Sequence, residues 1–493
     1  MTFTSIDFVF FFPLVVAAFY LCPPRFRWAV LLAGSCYFYM AFVPQYVLIL
    51  LFLVLVDFFL AKKIEATTGS LRHVYFVGSL VANIGTLFVF KYFNFFNENV
   101  ANLAHLLHWN YSLGLLTLAL PLGLSFHTFQ SISYITEVYR GKYTAERHLG
   151  IYALYVFFFP QLIAGPIERP AHLLPQLKNL HARFDWARVS SGLRLMLWGF
   201  FKKLVIADSI AQSVDYIYSG IGHSAGPSVL FAGVAFAFQL YADFSGYSDI
   251  ARGSARVLGV DVVRNFQQPY FSTSISEFWR RWHISLSSWF RDYVYYPFIS
   301  SANRITPLRI YVGTMMTFLL MGLWHGAGWT FVILGCLHGT YILVGQLTKK
   351  WRERAVSILG FASLPRLHRS FQVLCVFLLV SVSWVFFRSP DLTTALSFFV
   401  HLTGGWGLSP MEYIDHYALY PFNALGVSRS LLWVTSAFVV LMLCVEHIEQ
   451  RQPVGEWLNA RSVGARAFLY TSTVFAIILF GVFATSPFIY FQF

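Results

Sequence analysis

Three histidines, His283, His325 and His338, stand in strongly apolar or aromatic sequence, where an ionisable side chain is costly and is a functional candidate by default. His325 lies in GLWHGAGW (322–329), beside Trp324, Trp329 and three glycines, a composition that predicts a tight pocket with aromatic walls. Burial there would hold the imidazole neutral, the form that accepts a proton, so general-base activation of a hydroxyl is within its reach. The plainer alternative is that a lone histidine in an apolar helix only packs. His338 follows 13 residues later, on a different helical face, so the two rings can meet only across a hairpin. His283 sits in a cationic, aromatic stretch, FSTSISEFWRRWHISLSSWFRDYVYYPFI (271–299), where Arg280, Arg281 and Arg291 could meet an anionic donor and Trp279, Trp282 and Trp289 supply rings. Asp243, with Tyr241 close before it, is a further candidate at the end of an apolar span. The chain has no HExxH, Walker A or GxGxxG, which argues against metal, ATPase and Rossmann chemistry.

These residues have to be held by membrane helices. The chain is 57% hydrophobic and only 12% charged, against about 25% charged in soluble domains. A net charge of +13 resides in short loops between apolar spans, which fits positive-inside topology and not nucleic-acid binding. The five cysteines lack paired or metal-like spacing and read as free thiols. The N-terminal apolar run has no basic n-region and reads as a retained first span. Early spans are expected at 6–22, 28–44, 46–60, 74–96 and 114–138, with basic loops after the first, third and fifth; this places both termini outside. A segment at 149–166, broken by Pro160, Gly165 and Pro166, is expected to be re-entrant or packed inside the bundle.

Further spans fall at 194–218, 228–250, 371–387, 431–447 and 467–487, with an external loop at 403–430. The 271–299 stretch opens with Ser274 and Glu277, a capping box, and is expected to run as one helix to Pro297. On it Phe278, Trp282 and Trp289 would form an aromatic stripe beside a polar one made of Arg280, His283, Ser287 and Arg291. Such a helix could anchor at the membrane surface or line a site. Residues 310–347 read as a hairpin with both ends cytoplasmic, which carries His325 to the far side. The whole of 1–493 reads as a single transmembrane domain, with 391–493 its least typical part.

Four separated motifs, EFWRRWHISLSSWFRDYVYYP, QLYADFSGYSDIARG with NFQQPY, FPQLIAGPIERP and MGLWHGAGWTFVILGCLHG, resemble the membrane-bound O-acyltransferase superfamily. The likeness is nearest to its bacterial alginate O-acetylation branch and more distant from teichoic-acid D-alanyl transferases. It implies a ring of about 11–12 transmembrane helices around a central funnel or tunnel, with interfacial and re-entrant helices. His325 matches the family's catalytic histidine and His283 its second motif histidine. The implied reaction is acyl transfer, with no bound cofactor, from a cytoplasmic thioester such as acetyl-CoA to a hydroxyl, with His325 as base. The resemblance further implies a bacterial inner-membrane location, surrounding lipid, an exopolysaccharide acceptor and extracytoplasmic partners of the SGNH acetyltransferase type. Two alternatives stay open at this point: a carrier-protein thioester as donor, and a polysaccharide transporter or flippase without chemistry.

Overall fold

The computed structural model describes residues 1–404, 429–452, 454–483 and 488–489, and among them every regular element is helical. Among the described residues, six helices are long and apolar enough to cross a membrane: Gly69–Leu106, Gly226–Val257, Pro307–His325, Trp329–Leu347, Pro365–Arg388 and Val463–Phe480. The protein is an all-α, multi-pass membrane protein. Backbone contacts divide it into two compact units, Met1–Met196 with Ser248–Arg264, and Leu197–Tyr247 with Asn265–Phe493.

The first unit contains α1 (Ile6–Leu21), α2 (Arg27–Met40), α3 (Tyr46–Ala66), α4 (Gly69–Leu87), α5 (Phe93–Leu106), α6 (Leu124–Tyr139), α7 (Leu149–Phe157), α8 (Phe159–Leu162) and α9 (Pro170–Lys178). A π turn, Phe88–Tyr92, joins α4 to α5, so helix continues through residues expected to form an external loop. The reason lies in Asn94, whose side chain donates to Leu116 O at 2.8 Å and accepts from Leu116 N at 2.8 Å. That pairing holds the segment before α6 out of helix, and the span expected at 114–138 is helical only from Leu124. Gly123 marks the change at φ 77°, and a Cβ there would lie 2.5 Å from Leu162 O.

The broken segment at 149–166 is buried in this unit, and its backbone finds polar partners. Phe159 N donates to Ser35 Oγ at 3.0 Å, and Gln161 Nε2 donates to Tyr155 O at 2.8 Å. Such pairing is what irregular backbone at membrane depth requires. Asp57, on α3, accepts from Ser79 Oγ at 2.6 Å and Asn83 Nδ2 at 2.9 Å, which ties α3 to α4.

Beyond these spans, the fully buried Glu168 accepts from Val263 N at 2.7 Å and pairs with His172 Nδ1 at 2.7 Å. This hydrogen bond raises the His172 pKa above its ordinary 6.5. The pair's contribution to stability is therefore complete below 6.5 and is lost as pH rises through the raised folded value. A His172→Gln variant should unfold at a lower temperature than the parent at acidic pH, with the gap closing at alkaline pH. A gap independent of pH would show that the imidazolium contributes nothing.

The second unit begins within α10 (Trp186–Phe200) and continues through a π segment, Phe201–Ala207, into α11 (Asp208–Ser219) and α12 (Gly226–Val257). α12 runs past the expected boundary at residue 250, so Asp243 lies inside the helix and not at its end. There it is bound by Lys203 of the π segment, whose Nζ lies 2.7 Å from Asp243 Oδ1 and 2.8 Å from Asp208 Oδ1. Gly246 permits this approach, since a Cβ there would be 2.8 Å from Gly199 O.

The 271–299 stretch is not one helix. It forms α13 (Ile275–Arg281), α14 (Ile284–Phe290), a π turn Arg291–Tyr295, and α15 (Tyr296–Ser300). Ser274 Oγ does accept from Glu277 N at 3.1 Å, while Glu277 reaches back to Thr273 N at 2.8 Å. The helix nevertheless breaks at Trp282 and His283, because Ile284 N donates to Asn265 O at 2.9 Å and Ser285 Oγ to Asn265 Oδ1 at 2.6 Å. His283 takes the left-handed conformation, φ 43° and ψ 55°, to make the turn. Pro297 lies in the first turn of α15 and ends nothing. The expected aromatic and polar stripes therefore dissolve, and Phe278, Trp279, Trp282 and Trp289 are core residues, not surface anchors.

α16 (Pro307–His325) and α17 (Trp329–Leu347) form a hairpin, followed by α18 (Lys349–Ile358), α19 (Pro365–Arg388) and α20 (Leu392–Leu402). Then come α21 (Arg429–Glu449), α22 (Val454–Asn459) and α23 (Val463–Phe480); most of the 403–430 loop lies outside the described residues. Gly322 and Gly335 let α16 and α17 touch backbone to backbone: a Cβ at Gly322 would be 2.2 Å from Phe331 O, and one at Gly335 2.4 Å from Phe318 O. Gly322→Ala should force the helices apart and cost about 1–3 kcal/mol, read as a lower unfolding midpoint in detergent. An unchanged midpoint would mean the crossing has slack.

Candidate functional site

His325 is the last residue of α16, and its ring is buried between Trp324, at 4.9 Å between centroids, and Phe387 of α19, at 5.3 Å. The chain leaves the helix at Gly326, where a Cβ would lie 2.0 Å from the Phe331 ring. Only glycine allows Phe331 to close over this end of the hairpin. His325 is thus fixed by packing on an element terminus, with α16 carbonyls aimed toward it.

Trp324 also contacts His283, at 5.8 Å between centroids, so one indole touches both histidine rings. His283 also meets Phe244 in an edge-to-face contact at 4.6 Å. Complete burial pushes the His283 pKa down to about 3, which keeps it neutral throughout the physiological range.

His338, on α17, belongs to a neighbouring aromatic cluster. Trp279 Nε1 donates to its Nδ1 at 3.3 Å. An indole can only donate, so Nδ1 carries the lone pair and the neutral ring holds its proton on Nε2. That Nε2 is buried without a hydrogen-bond partner among the described residues. From His338 the rings run on to Trp384 at 5.8 Å, Phe387 at 5.7 Å from Trp384, and then His325. Trp282 joins at 5.1 Å from Trp384. Ring pairs of this kind add about 0.5–1.5 kcal/mol each beyond burial, enough to fix rotamers across the cluster.

The other candidates divide. Tyr241 packs 6.0 Å from Trp282, and its hydroxyl donates to the Glu446 carboxylate of α21. Asp243 faces Lys203 and accepts from Ile489 N at 2.9 Å. Arg281 pairs with Glu277 at 2.7 Å and Arg291 with Asp292 at 2.8 Å, while Arg280 is exposed. Trp329, the first residue of α17, is 56% exposed.

Sequence reasoning passed over Trp384, Phe387, Lys203 and Glu446. A signal existed for the last two, since both are ionisable residues inside apolar helices. For Trp384 and Phe387 no local signal exists, because a ring inside an apolar span looks like any other lipid-facing or core residue.

Known proteins resemble this chain over most of its length. Residues 148–383, which contain the two hairpin histidines and His283, match the family model of membrane-bound O-acyltransferases. The chain is 38% identical to a probable alginate O-acetylase of Azotobacter vinelandii, over 84% of this chain and 80% of the relative. It is 32% identical to a peptidoglycan O-acetyltransferase of Helicobacter pylori, over 78% and 75%. With a teichoic acid D-alanyltransferase of Bacillus subtilis it shares 28% identity, over 61% and 74%.

Proposed function

Given that the chain belongs to the membrane-bound O-acyltransferase family, we propose that it passes an acetyl group from a cytoplasmic thioester to an exopolysaccharide of the alginate type, with His325 as the general base. Family membership makes it an acyltransferase and removes the transporter reading. The observation that carries the site assignment is His325 itself: a buried imidazole at the glycine-rich end of the hairpin, held by Trp324 and Phe387.

In the proposed step, His325 takes the proton of an acceptor hydroxyl as its oxygen attacks the thioester carbonyl. The new C–O bond forms, the C–S bond breaks, and the departing thiolate receives the proton. The carbonyl end of α16 would stabilise the transient imidazolium by about 0.3–1 kcal/mol. His283, neutral and in contact with Trp324, would position that indole. His338 would present its Nε2–H to an oxygen of the donor, with Trp279, Trp282 and Trp384 around it. Arg280, without an ion-pair partner among the described residues, is better suited than Arg281 or Arg291 to receive donor phosphates. Asp243 and Tyr241 would hold the helices together and not touch substrate. The reading further places the protein in the bacterial inner membrane with both termini outside, where partner proteins of the SGNH type would complete the modification.

The test uses purified full-length protein in proteoliposomes, offered radiolabelled acetyl-CoA or an acetylated carrier protein in separate arms. Label transfer from acetyl-CoA to a hydroxyl acceptor is the expected result. Transfer from the carrier alone would move the donor assignment to the D-alanyltransferase type, and transfer from neither would overturn the thioester reading.

A further inference from the structure

We propose that α18 is a docking surface for anionic phospholipid, which pins the connection between α17 and α19 to one face of the membrane. α17 and α19 are both membrane-crossing helices, so the short connection from Thr348 to Leu364 begins and ends at the same membrane surface. No residue of α18 is buried within the protein. Trp351, Ala355, Ile358 and Leu359 recur at helical spacing on one face, and Trp351 is 79%, Ile358 73% and Leu359 69% exposed.

The charges lie beside that apolar stripe. Between residues 349 and 369 there are six Lys or Arg and one carboxylate, Glu353, giving 6 − 1 = +5. Arg352 and Arg354 fall on opposite flanks of the stripe; Arg352 donates to Gly345 O at the end of α17, and Arg354 has the disposition in which a long cationic side chain reaches headgroups while its stem lies on apolar surface. Glu353 lies 3.9 Å from Lys349 and offsets little of the charge. An acidic soluble protein could satisfy the cations, but an apolar stripe at the level of two span ends is met by the bilayer itself. Anionic lipid supplies both, and a basic amphipathic helix next to a span is the pattern such lipids recognise.

Full-length protein in neutral detergent is titrated with phosphatidylglycerol or phosphatidylcholine, and bound lipid is counted by native mass spectrometry. Phosphatidylglycerol should be retained preferentially, and raised salt should weaken its retention. The Lys350→Gln/Arg352→Gln/Arg354→Gln variant should bind it on the order of a hundred-fold more weakly. Equal retention of the two lipids by the parent protein, which requires no variant to fold, would overturn the proposal. So would unchanged phosphatidylglycerol affinity in the triple variant, or occupation of α18 by an acidic protein in place of lipid.

Discussion

Replacing His325 by glutamine should lower acetyl transfer by about two to four orders of magnitude, the range a positioned general base supplies. Glutamine fills most of the space between Trp324 and Phe387, so the change removes the proton acceptor without emptying the cluster. His325→Ala should be as inactive and less stable, because it also deletes a ring packed on two others. The readout is acetyl content of the secreted polysaccharide, normalised to folded protein in the membrane. Parental acetylation by the glutamine variant would reduce His325 to a packing residue and leave the base to be found elsewhere.

The second large effect concerns stability. Lys203 is buried against Asp208 and Asp243, one cation serving two carboxylates. Lys203→Met should cost about 3–5 kcal/mol, since it strands those carboxylates away from water. The unfolding midpoint in detergent should fall accordingly, and adding Asp243→Asn should restore part of it. A midpoint that stays put after Lys203→Met would show that water or other groups already solvate the two acids. Asp243→Asn alone should do less damage, because Lys203 keeps Asp208.

These two sites were unequally legible in the sequence. The burial of His325 at the hairpin end was legible because LWHGAGW combines an ionisable group with glycines inside an apolar run. The hairpin was legible for the same reason, as basic flanks bracket one long apolar segment. Lys203 and Asp243 were each visible as costly residues, yet nothing local indicates that they meet across 40 positions of chain. The break at His283 was illegible for a different reason. The Ser274 half of the capping box forms as expected, while Glu277 reaches one residue further back to Thr273 N, and propensity favours continuing the helix. What stops it is Asn265, a residue nine positions upstream of the cap, whose backbone and side chain capture the start of α14. Tertiary hydrogen bonds of this sort override local preference without leaving a pattern to read. Trp384 and Phe387 became meaningful only once α19 was seen against the hairpin.

His283 carries a further consequence for how this protein can evolve. A non-glycine residue held in the left-handed region costs about 1–3 kcal/mol, and glycine or asparagine would relieve much of it. With the positioning role proposed for His283, selection for abundance and selection for turnover would pull on this codon in opposite directions. In a library varied at position 283 and sorted only for thermostability, Gly and Asn should gain ground, offset by the cavity each leaves beside Phe244 and Trp324. Under sorting for acetylated polysaccharide, an imidazole that orients Trp324 should be retained against its own backbone.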